Sequence, residues 1–194
     1  MEAISIKSVA VIGTGVMGSK VAWACAVNGL KTYVYDNDQE QIRRAVERIN
    51  GWFLDGSITE AEAEAARACL RPCESLENAL AEADLAFENV PEVLALKQEV
   101  HARIGRLARS EVLMGSNASS LLCTPLAEAS GRPDKFFNMN FTDPRDRGLV
   151  ELMWNPKTAD STKAAAMAWA GAIRSRSAKI LRFRSRISRT ASMT

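Results

Sequence analysis

Three glycines near the start of the chain have a spacing that lets a backbone wrap closely around a ligand. Residues 13–18 read Gly-Thr-Gly-Val-Met-Gly, which is the pattern G-x-G-x-x-G. In this pattern Gly13 permits a tight turn, Gly15 lets the backbone approach a pyrophosphate and Gly18 allows a helix to pack closely. The phosphates would bind free N–H groups at the helix start, where the helix dipole favours anions. The predicted contacts of this loop with a dinucleotide are Gly13, Gly15, Val16, Met17 and Gly18.

An acidic residue downstream supports a dinucleotide site over an ordinary glycine-rich turn. The loop follows the apolar stretch SVAVI, and a second apolar stretch, KTYVY, ends at Asp36, 23 residues after Gly13. A carboxylate near this spacing binds the ribose hydroxyls of adenosine and repels a 2′-phosphate. Asn37 and Asp38 follow without an adjacent arginine, so the pattern favours NAD over NADP. FAD remains open on these residues alone, because the same glycine pattern serves both dinucleotides.

Polar residues also follow three further strand-like stretches. Residues 88–92 read Glu-Asn-Val-Pro-Glu, residues 116–120 read Ser-Asn-Ala-Ser-Ser and residues 142–144 read Thr-Asp-Pro. Each group taken singly has a local explanation, since Ser, Asn and Asp cap helices and form turns. In an open parallel sheet, however, ligands bind at the carboxyl ends of the strands. The three groups together therefore predict a pocket at that edge.

Strand-length apolar runs alternate with segments of helical period along the chain, which predicts a mostly parallel sheet covered on both faces. We expect a Rossmann-type, doubly wound α/β fold with a helical hairpin inserted after Asp36. The predicted strands are residues 8–12, 31–35, 85–87, 112–115, 136–141 and 149–154. The predicted helices are residues 16–28, two within 39–70 separated at 55–57, and then 76–83, 93–107, 125–129 and 158–173.

The composition changes after Ile173. Residues 174–194 hold six Arg and one Lys with no acidic residue, which leaves the preceding part 18 basic and 23 acidic residues, a net charge of −5. We predict a folded domain over residues 6–173 and a basic, disordered tail over residues 174–194. The Arg/Ser-rich string is typical of a frame-shifted or prematurely ended gene. The alternative is a tail that binds nucleic acid or an anionic membrane, but no aromatic beyond Phe183 and no recognised motif supports it.

The remaining composition is typical of a soluble protein of the cytoplasm. The 194 residues are 47% hydrophobic, enough for one sizeable core. The four cysteines have neither the density of a disulfide framework nor the paired spacing of a zinc site, and His101 is the single histidine. No cationic leader begins the chain, and no apolar run approaches the roughly 20 residues of a membrane span. We therefore expect no metal, no membrane and no nucleic-acid partner.

Taken in order, the glycine loop, FENVPEVLALK, GSNASSL and NMNFTDP followed by LVEL resemble the 3-hydroxyacyl-CoA dehydrogenase family, over roughly residues 6–173. The resemblance implies an NAD-dependent oxidoreductase of fatty acid metabolism that converts a 3-hydroxyacyl-CoA to the 3-ketoacyl-CoA. Carnitine dehydrogenases are close relatives, so another 3-hydroxy acid is the alternative substrate. The hairpin after Asp36 would contact coenzyme A. The family's C-terminal helical domain, which supplies dimer contacts, has no counterpart in this sequence, so we do not expect the family-type homodimer.

The resemblance also assigns roles to single residues. Ser119 matches the serine that contacts the substrate oxygen, and Asn117 matches the neighbouring active-site asparagine. Glu92 and Lys97 match positions that line the nicotinamide side of the cofactor. Glu151 matches the glutamate that partners the catalytic histidine, although the segment before it is one residue shorter than in the family.

The catalytic histidine itself is absent. The family's H-F-x-N-P stretch reads Asn140-Phe141-Thr142-Asp143-Pro144 here, and His101 lies in a predicted helix, where we expect a structural role. Alcohol oxidation needs a base for the hydroxyl proton, and asparagine cannot accept it. Its amide can still donate a hydrogen bond to a ketone oxygen, with loss of the ~10²–10⁴-fold of general acid–base catalysis. We expect Ser119, Asn140 and Glu151 to form an impaired catalytic site. The alternative is a non-catalytic NAD-binding remnant.

Overall fold

The computed structural model describes residues 4–141, 150–173 and 182–183 of the chain. Within these residues the strands are β1 (Ser8–Ile12), β2 (Lys31–Tyr35), β3 (Leu70–Pro72), β4 (Leu85–Glu88), β5 (Leu113–Ser116), β6 (Phe136–Phe141), β7 (Val150–Trp154) and β8 (Arg182–Phe183). They form one sheet in the order β3-β2-β1-β4-β5-β6-β7-β8. β1 to β6 are all parallel to one another. β7 is antiparallel to β6, and β8 is parallel to β7.

Helices cover both faces of this sheet. They are α1 (Val16–Val27), α2 (Gln39–Leu54), α3 (Glu60–Cys69), α4 (Leu76–Leu80), α5 (Leu94–Leu107), α6 (Cys123–Ala129) and α7 (Asp160–Ala172). One core cluster joins the sheet to α1, α2, α3 and α7, and a second joins it to α4, α5 and α6. The predicted Rossmann-type, doubly wound fold is confirmed.

The central strand shows why both faces need a cover. All five residues of β1 are buried. Because successive side chains of a strand point to opposite faces, Val9 and Val11 enter the first cluster while Ala10 and Ile12 enter the second. A continuous apolar run is therefore the sequence expected of a strand buried on both sides.

The helical hairpin after β2 has the predicted break. α2 ends at Leu54, and Thr59 begins α3 with a capping box, in which its side chain accepts from the Glu62 N–H while Glu62 accepts from Thr59. The helix that we expected to reach residue 70 ends one residue earlier, because Leu70 pairs with Thr32 as the first residue of β3. A three-residue edge strand ending in proline has no periodicity that could reveal it.

Two residues of the basic segment lie within the described residues. Arg182–Phe183 lies within the predicted disordered tail, yet it forms β8, with Arg182 opposite Glu151 of β7. The free edge of β7 offers backbone hydrogen-bonding groups, and this pairing satisfies them. The rest of residues 174–194 lies outside the described residues, as does the predicted strand end at residues 142–144. Across the described ranges, no helix is long and apolar enough to cross a membrane.

Helix α1 reaches the end of β1 at a point where no side chain fits. A Cβ built on Gly18 would lie 1.9 Å from the carbonyl oxygen of Gly13 and 3.4 Å from the Asn89 Cβ. Gly18 therefore lets the helix touch the backbone of the glycine loop directly.

Gly18→Ala should lower the free energy of unfolding by about 1–3 kcal/mol, because backbone must move to admit the methyl group. Gly51→Ala in α2 is the matched control, since a Cβ there meets nothing within 4 Å and should add up to about 1 kcal/mol of stability. Equilibrium urea unfolding measures both. A Gly18→Ala protein as stable as wild type would contradict the close approach.

Candidate functional site

The glycine loop folds as a cradle for an anion. Gly13 has φ +87° and its N–H donates to the Tyr35 carbonyl at 2.9 Å, which ties the loop to the end of β2. A Cβ at Gly13 would lie 2.9 Å from the carbonyl carbon of Asn89. At Gly15, which begins α1, nothing lies within 4 Å of such a Cβ, and no side chain caps the helix among the described residues. The first-turn N–H groups thus remain available to phosphate oxygens.

A cavity of about 720 Å³ opens beside this loop, within the range of small-molecule and cofactor sites. Gly13, Gly15 and Asp36 line one side, and Val90 and Pro91, which follow β4, line another. The cavity lies at the carboxyl ends of β1, β2 and β4. Of the three polar groups that were predicted to form a pocket, residues 88–92 contribute to its lining, residues 116–120 do not, and residues 142–144 lie outside the described residues. Its dimensions and glycine-lined wall fit part of a dinucleotide.

The sequence did not reveal one wall of this cavity. Leu96, Val100 and Arg103 line it from α5. Their spacing of three to four residues puts them on one helix face, which was the available signal. Arg103 lies 3.7 Å from Glu77.

Asp36 is held in place by the loop that it faces. Its Oδ2 accepts from the backbone N–H of Thr14 at 2.7 Å and from the Thr14 hydroxyl at 3.2 Å, and its Oδ1 accepts from the Asp38 N–H at 3.1 Å. The carboxylate is therefore fixed at the cavity wall, in the position from which it can accept from ribose hydroxyls.

Beneath the neighbouring strand ends lies a buried charged cluster. The fully buried Glu88 ends β4, and its Oε1 accepts from the Lys97 ammonium at 2.8 Å and from the Val90 N–H at 2.5 Å. Its Oε2 accepts from the Ser116 hydroxyl at 2.6 Å and contacts His101 Nε2 at 3.1 Å. Burial raises the pKa of Glu88, but His101 and Lys97 outweigh it and the pKa lies below its ordinary value.

The sequence analysis assigned roles to Lys97 and His101 but none to Glu88. Lys97, which the resemblance assigned to the nicotinamide side, has a fully buried ammonium that donates to the carbonyls of Val90 at 3.1 Å and Asn117 at 2.9 Å. Glu88 was not among the predicted site residues, because at the end of an apolar run it resembles an ordinary strand terminus. His101, predicted to be structural, is buried with its ring edge on Phe136.

Glu92 organises the loop that carries Ser119. Its Oε1 accepts from the backbone N–H groups of Ser119 and Ser120, both at 2.9 Å, and of Leu121 at 3.3 Å. Burial raises the pKa of Glu92, but its hydrogen bonds from Ser120 and the nearby Lys97 lower it more. Glu92 therefore clamps this loop by binding its backbone N–H groups. Ser119 itself is exposed.

Asn140 and Glu151 face each other across the antiparallel pair β6 and β7. The Asn140 Nδ2 donates to Glu151 Oε2 at 3.3 Å. The structure thus joins the two positions that the sequence matched to the catalytic histidine and its glutamate. Asn138, two residues earlier, donates to the Leu121 carbonyl at 3.2 Å and ties β6 to the Ser119 loop. Among the described residues, no cluster of His, Cys, Asp and Glu could hold a metal ion.

Comparison with known proteins identifies this arrangement. Residues 8–180 match the model of the family "3-hydroxyacyl-CoA dehydrogenase, NAD binding domain". The chain is 30% identical over 161 residues to the 3-hydroxyadipyl-CoA dehydrogenase of Escherichia coli, covering 80% of this chain and 34% of that protein. It is 32% identical over 157 residues to a probable 3-hydroxybutyryl-CoA dehydrogenase of Deinococcus radiodurans, covering 78% and 56%. The chain therefore spans about a third to about half of these relatives.

Among solved structures, the (S)-3-hydroxybutyryl-CoA dehydrogenase of Ralstonia eutropha superposes with a TM-score of 0.80 at 29% identity, covering 93% of this chain and 65% of that one. A diketoreductase superposes with a TM-score of 0.84 at 29% identity, covering 95% and 65%. The predicted cofactor, NAD, is the one that the family model names, and the cradle and cavity fit it.

Asp36→Asn should weaken NADH binding by about tenfold, since a charge-assisted hydrogen bond becomes a neutral one. It should also raise the affinity for NADPH relative to NADH, because the charge that repels a 2′-phosphate is gone. Fluorescence titration with both nucleotides measures this. Asp38→Asn is the control, since Asp38 lines the same cavity but caps α2 by accepting from the Glu40 N–H at 3.0 Å. An unchanged NADPH to NADH ratio in Asp36→Asn would contradict the assignment.

The Glu88 carboxylate should make stability depend on pH. Its folded-state pKa is depressed, so its contribution is complete above the ordinary glutamate pKa and is lost as the pH falls through the folded value. Glu88→Gln should therefore cost about 3–5 kcal/mol at pH 7, as for a broken buried ion pair, and less near pH 4. Urea unfolding at both pH values tests the sign. A difference that stays constant or widens on acidification would contradict it.

Proposed function

Because the chain belongs to the 3-hydroxyacyl-CoA dehydrogenase family, we propose that it binds NAD together with a 3-hydroxyacyl-CoA or 3-ketoacyl-CoA thioester, and that its proton-transfer step is impaired. The observation that carries this proposal is the pairing of Asn140 with Glu151 at 3.3 Å, in a chain whose glycine loop and Asp36 line a cavity that fits a cofactor. NAD supplies the acceptor for the hydride that leaves the carbon bearing the hydroxyl group.

Ser119 is the residue that we assign to the substrate oxygen. It is exposed, and its backbone is fixed by the Glu92 carboxylate. A hydroxyl on a fixed loop can donate to the oxygen of a ketone substrate or accept from that of an alcohol. Asn117 lies two residues before Ser119 and donates from Nδ2 to Asn89 Oδ1 at 3.1 Å. This bond holds the Ser119 loop against the residues that directly follow β4.

Asn140 is where the chemistry is limited. As the hydride leaves, the hydroxyl proton must pass to a base that titrates near neutrality. An amide side chain is not such a base. One of its two Nδ2 hydrogens donates to Glu151, so the side chain orients that carboxylate without supplying an imidazole. We infer slow turnover with binding intact.

The substrate class follows from the relatives. Two carry names that specify a hydroxyacyl-CoA, and a third, from Pseudomonas putida, is named fatty acid oxidation complex subunit alpha and is 30% identical over 170 residues, covering 85% of this chain and 24% of that protein. The α2–α3 hairpin is the segment that we assign to coenzyme A. At its tip the Leu54 side chain is 83% exposed, so it is open to a ligand.

Asn140→His should raise the rate of NADH oxidation with acetoacetyl-CoA by about 10²–10⁴-fold, because it restores a general acid and base opposite Glu151. Steady-state absorbance of NADH measures it. Asn140→Gln is the matched control, an amide with the same hydrogen-bonding groups and no titration, and should stay at the wild-type rate.

Ser119→Ala in the Asn140→His background should reduce the restored rate, since the contact with the substrate oxygen is lost. If Asn140→His binds NADH as tightly as wild type yet turns over no faster than Asn140→Gln, the proposed function is wrong.

A further inference from the structure

The Glu88 carboxylate is the common partner of four residues from three separate parts of the site. Val90 belongs to the loop after β4, Lys97 and His101 belong to successive turns of α5, and Ser116 ends β5. The side chains of Glu88, Lys97 and His101 are all 0% exposed. A buried carboxylate is costly unless its oxygens are satisfied, and here both oxygens are.

We propose that Glu88 is the positioning residue for the nicotinamide side of the site, acting through Lys97 on the loops that carry Asn117 and Ser119. This inference rests on the proposed function, because it concerns how the same cofactor is held. Glu88 contacts neither cofactor nor substrate. Its effect is to fix the geometry of residues that do.

The connection to Asn117 is direct. The Lys97 ammonium, held by Glu88 Oε1, donates to the Asn117 carbonyl at 2.9 Å. The backbone carbonyl of Glu88 also accepts from the Asn117 N–H at 2.8 Å. The Glu88 backbone therefore fixes the Asn117 N–H directly, and its side chain fixes the Asn117 carbonyl through Lys97. Together these contacts hold the start of the Ser119 loop.

The connection to Ser119 is electrostatic. Lys97 Nζ lies 3.7 Å from Glu92 Oε2, farther than its 2.8 Å contact with Glu88, and Glu92 Oε1 clamps the Ser119 loop. Two carboxylates thus share one ammonium. When the Glu88 charge is removed, Glu92 is the remaining carboxylate within 4 Å of the Lys97 ammonium among the described residues, so the ammonium is drawn toward Glu92. The clamp on the Ser119 amides then shifts.

The adenine side of the site has its own supports. Asp36 is fixed by Thr14, and the glycine loop is fixed by the Gly13 N–H to the Tyr35 carbonyl. Neither contact involves Glu88. A positioning role for Glu88 therefore predicts that its loss affects the nicotinamide half of the cofactor more than the adenosine half, whereas a general structural role predicts equal losses.

The test compares NADH with ADP-ribose, which lacks the nicotinamide, by isothermal titration calorimetry on the full chain. Glu88→Gln should weaken NADH binding by about tenfold, a typical effect of a residue that orients direct contacts, and ADP-ribose binding by less than about twofold. Ser116→Ala removes one donor to the carboxylate without changing a charge, and should weaken NADH binding by about threefold. It serves where Glu88→Gln is too unstable to titrate.

Asp84→Asn is the matched control. Asp84 directly precedes β4 at its other end, and its Oδ2 accepts from the Lys7 N–H at 2.8 Å and from the Ser8 N–H at 3.0 Å. It is therefore a similar clamp at the edge opposite the cofactor. The ratio of NADH to ADP-ribose affinity should stay at the wild-type value in Asp84→Asn.

Equal losses for both ligands in the Glu88 and Ser116 variants, or no loss for either, would overturn the positioning role, as would a changed ratio in Asp84→Asn. The positioning role would also be overturned if the wild-type chain bound NADH no more tightly than ADP-ribose. The proposed function fails separately, when the wild-type chain binds neither ligand.

Discussion

The distance between α1 and the end of β1 constrains the whole cofactor side of this protein. It is set by backbone against backbone, since Gly18 leaves no room for a side chain against the Gly13 carbonyl. This approach presents the helix N-terminus to the cavity, and the Gly13 N–H joins it to the end of β2. Asp36 then lies within reach of the Thr14 amide. The open N-terminus of α1 and the position of Asp36 at the cavity are thus consequences of one packing distance.

The loops that carry Asn117 and Ser119, which we assign to the nicotinamide side, depend on a different kind of interaction. The buried Lys97 ammonium lies between the buried Glu88 carboxylate and the partly exposed Glu92 carboxylate. Such a network fixes geometry well, because leaving a buried charged group without its partner costs several kcal/mol of stability, about 3–5 kcal/mol for a broken buried pair. On β6, the Asn140 amide donates to the Glu151 carboxylate but supplies no titrating group. In the function that we propose, NAD therefore binds while the proton-transfer step is impaired.

Much of this was accessible from the sequence for a physical reason. Periodicity revealed the buried strands, and the glycine pattern with Asp36 located the cradle, because backbone turns impose residue types directly. The convergence of strand ends followed from the parallel topology. The resemblance supplied the pairing of residue 140 with residue 151, which the register of β6 and β7 reproduces.

The rest could not be read because it arises from tertiary contacts. Glu88 differs from any polar strand terminus only through donors that come from α5 and β5. Lys97 looks like an exposed helical lysine until the fold buries it. The short strand β3 and the pairing of Arg182–Phe183 depend on what neighbouring edges offer, and local sequence carries no record of that.

Stopped-flow single-turnover kinetics of the wild-type chain with bound NADH and acetoacetyl-CoA across pH 5.5–8.5 would show whether the chain combines an intact cofactor site with an active site that lacks a titrating imidazole. NADH should bind one per chain and be oxidised slowly, with no inflection near the imidazole pKa of about 6.5. Fast oxidation with an inflection in that range, or failure to bind NADH, would contradict this prediction.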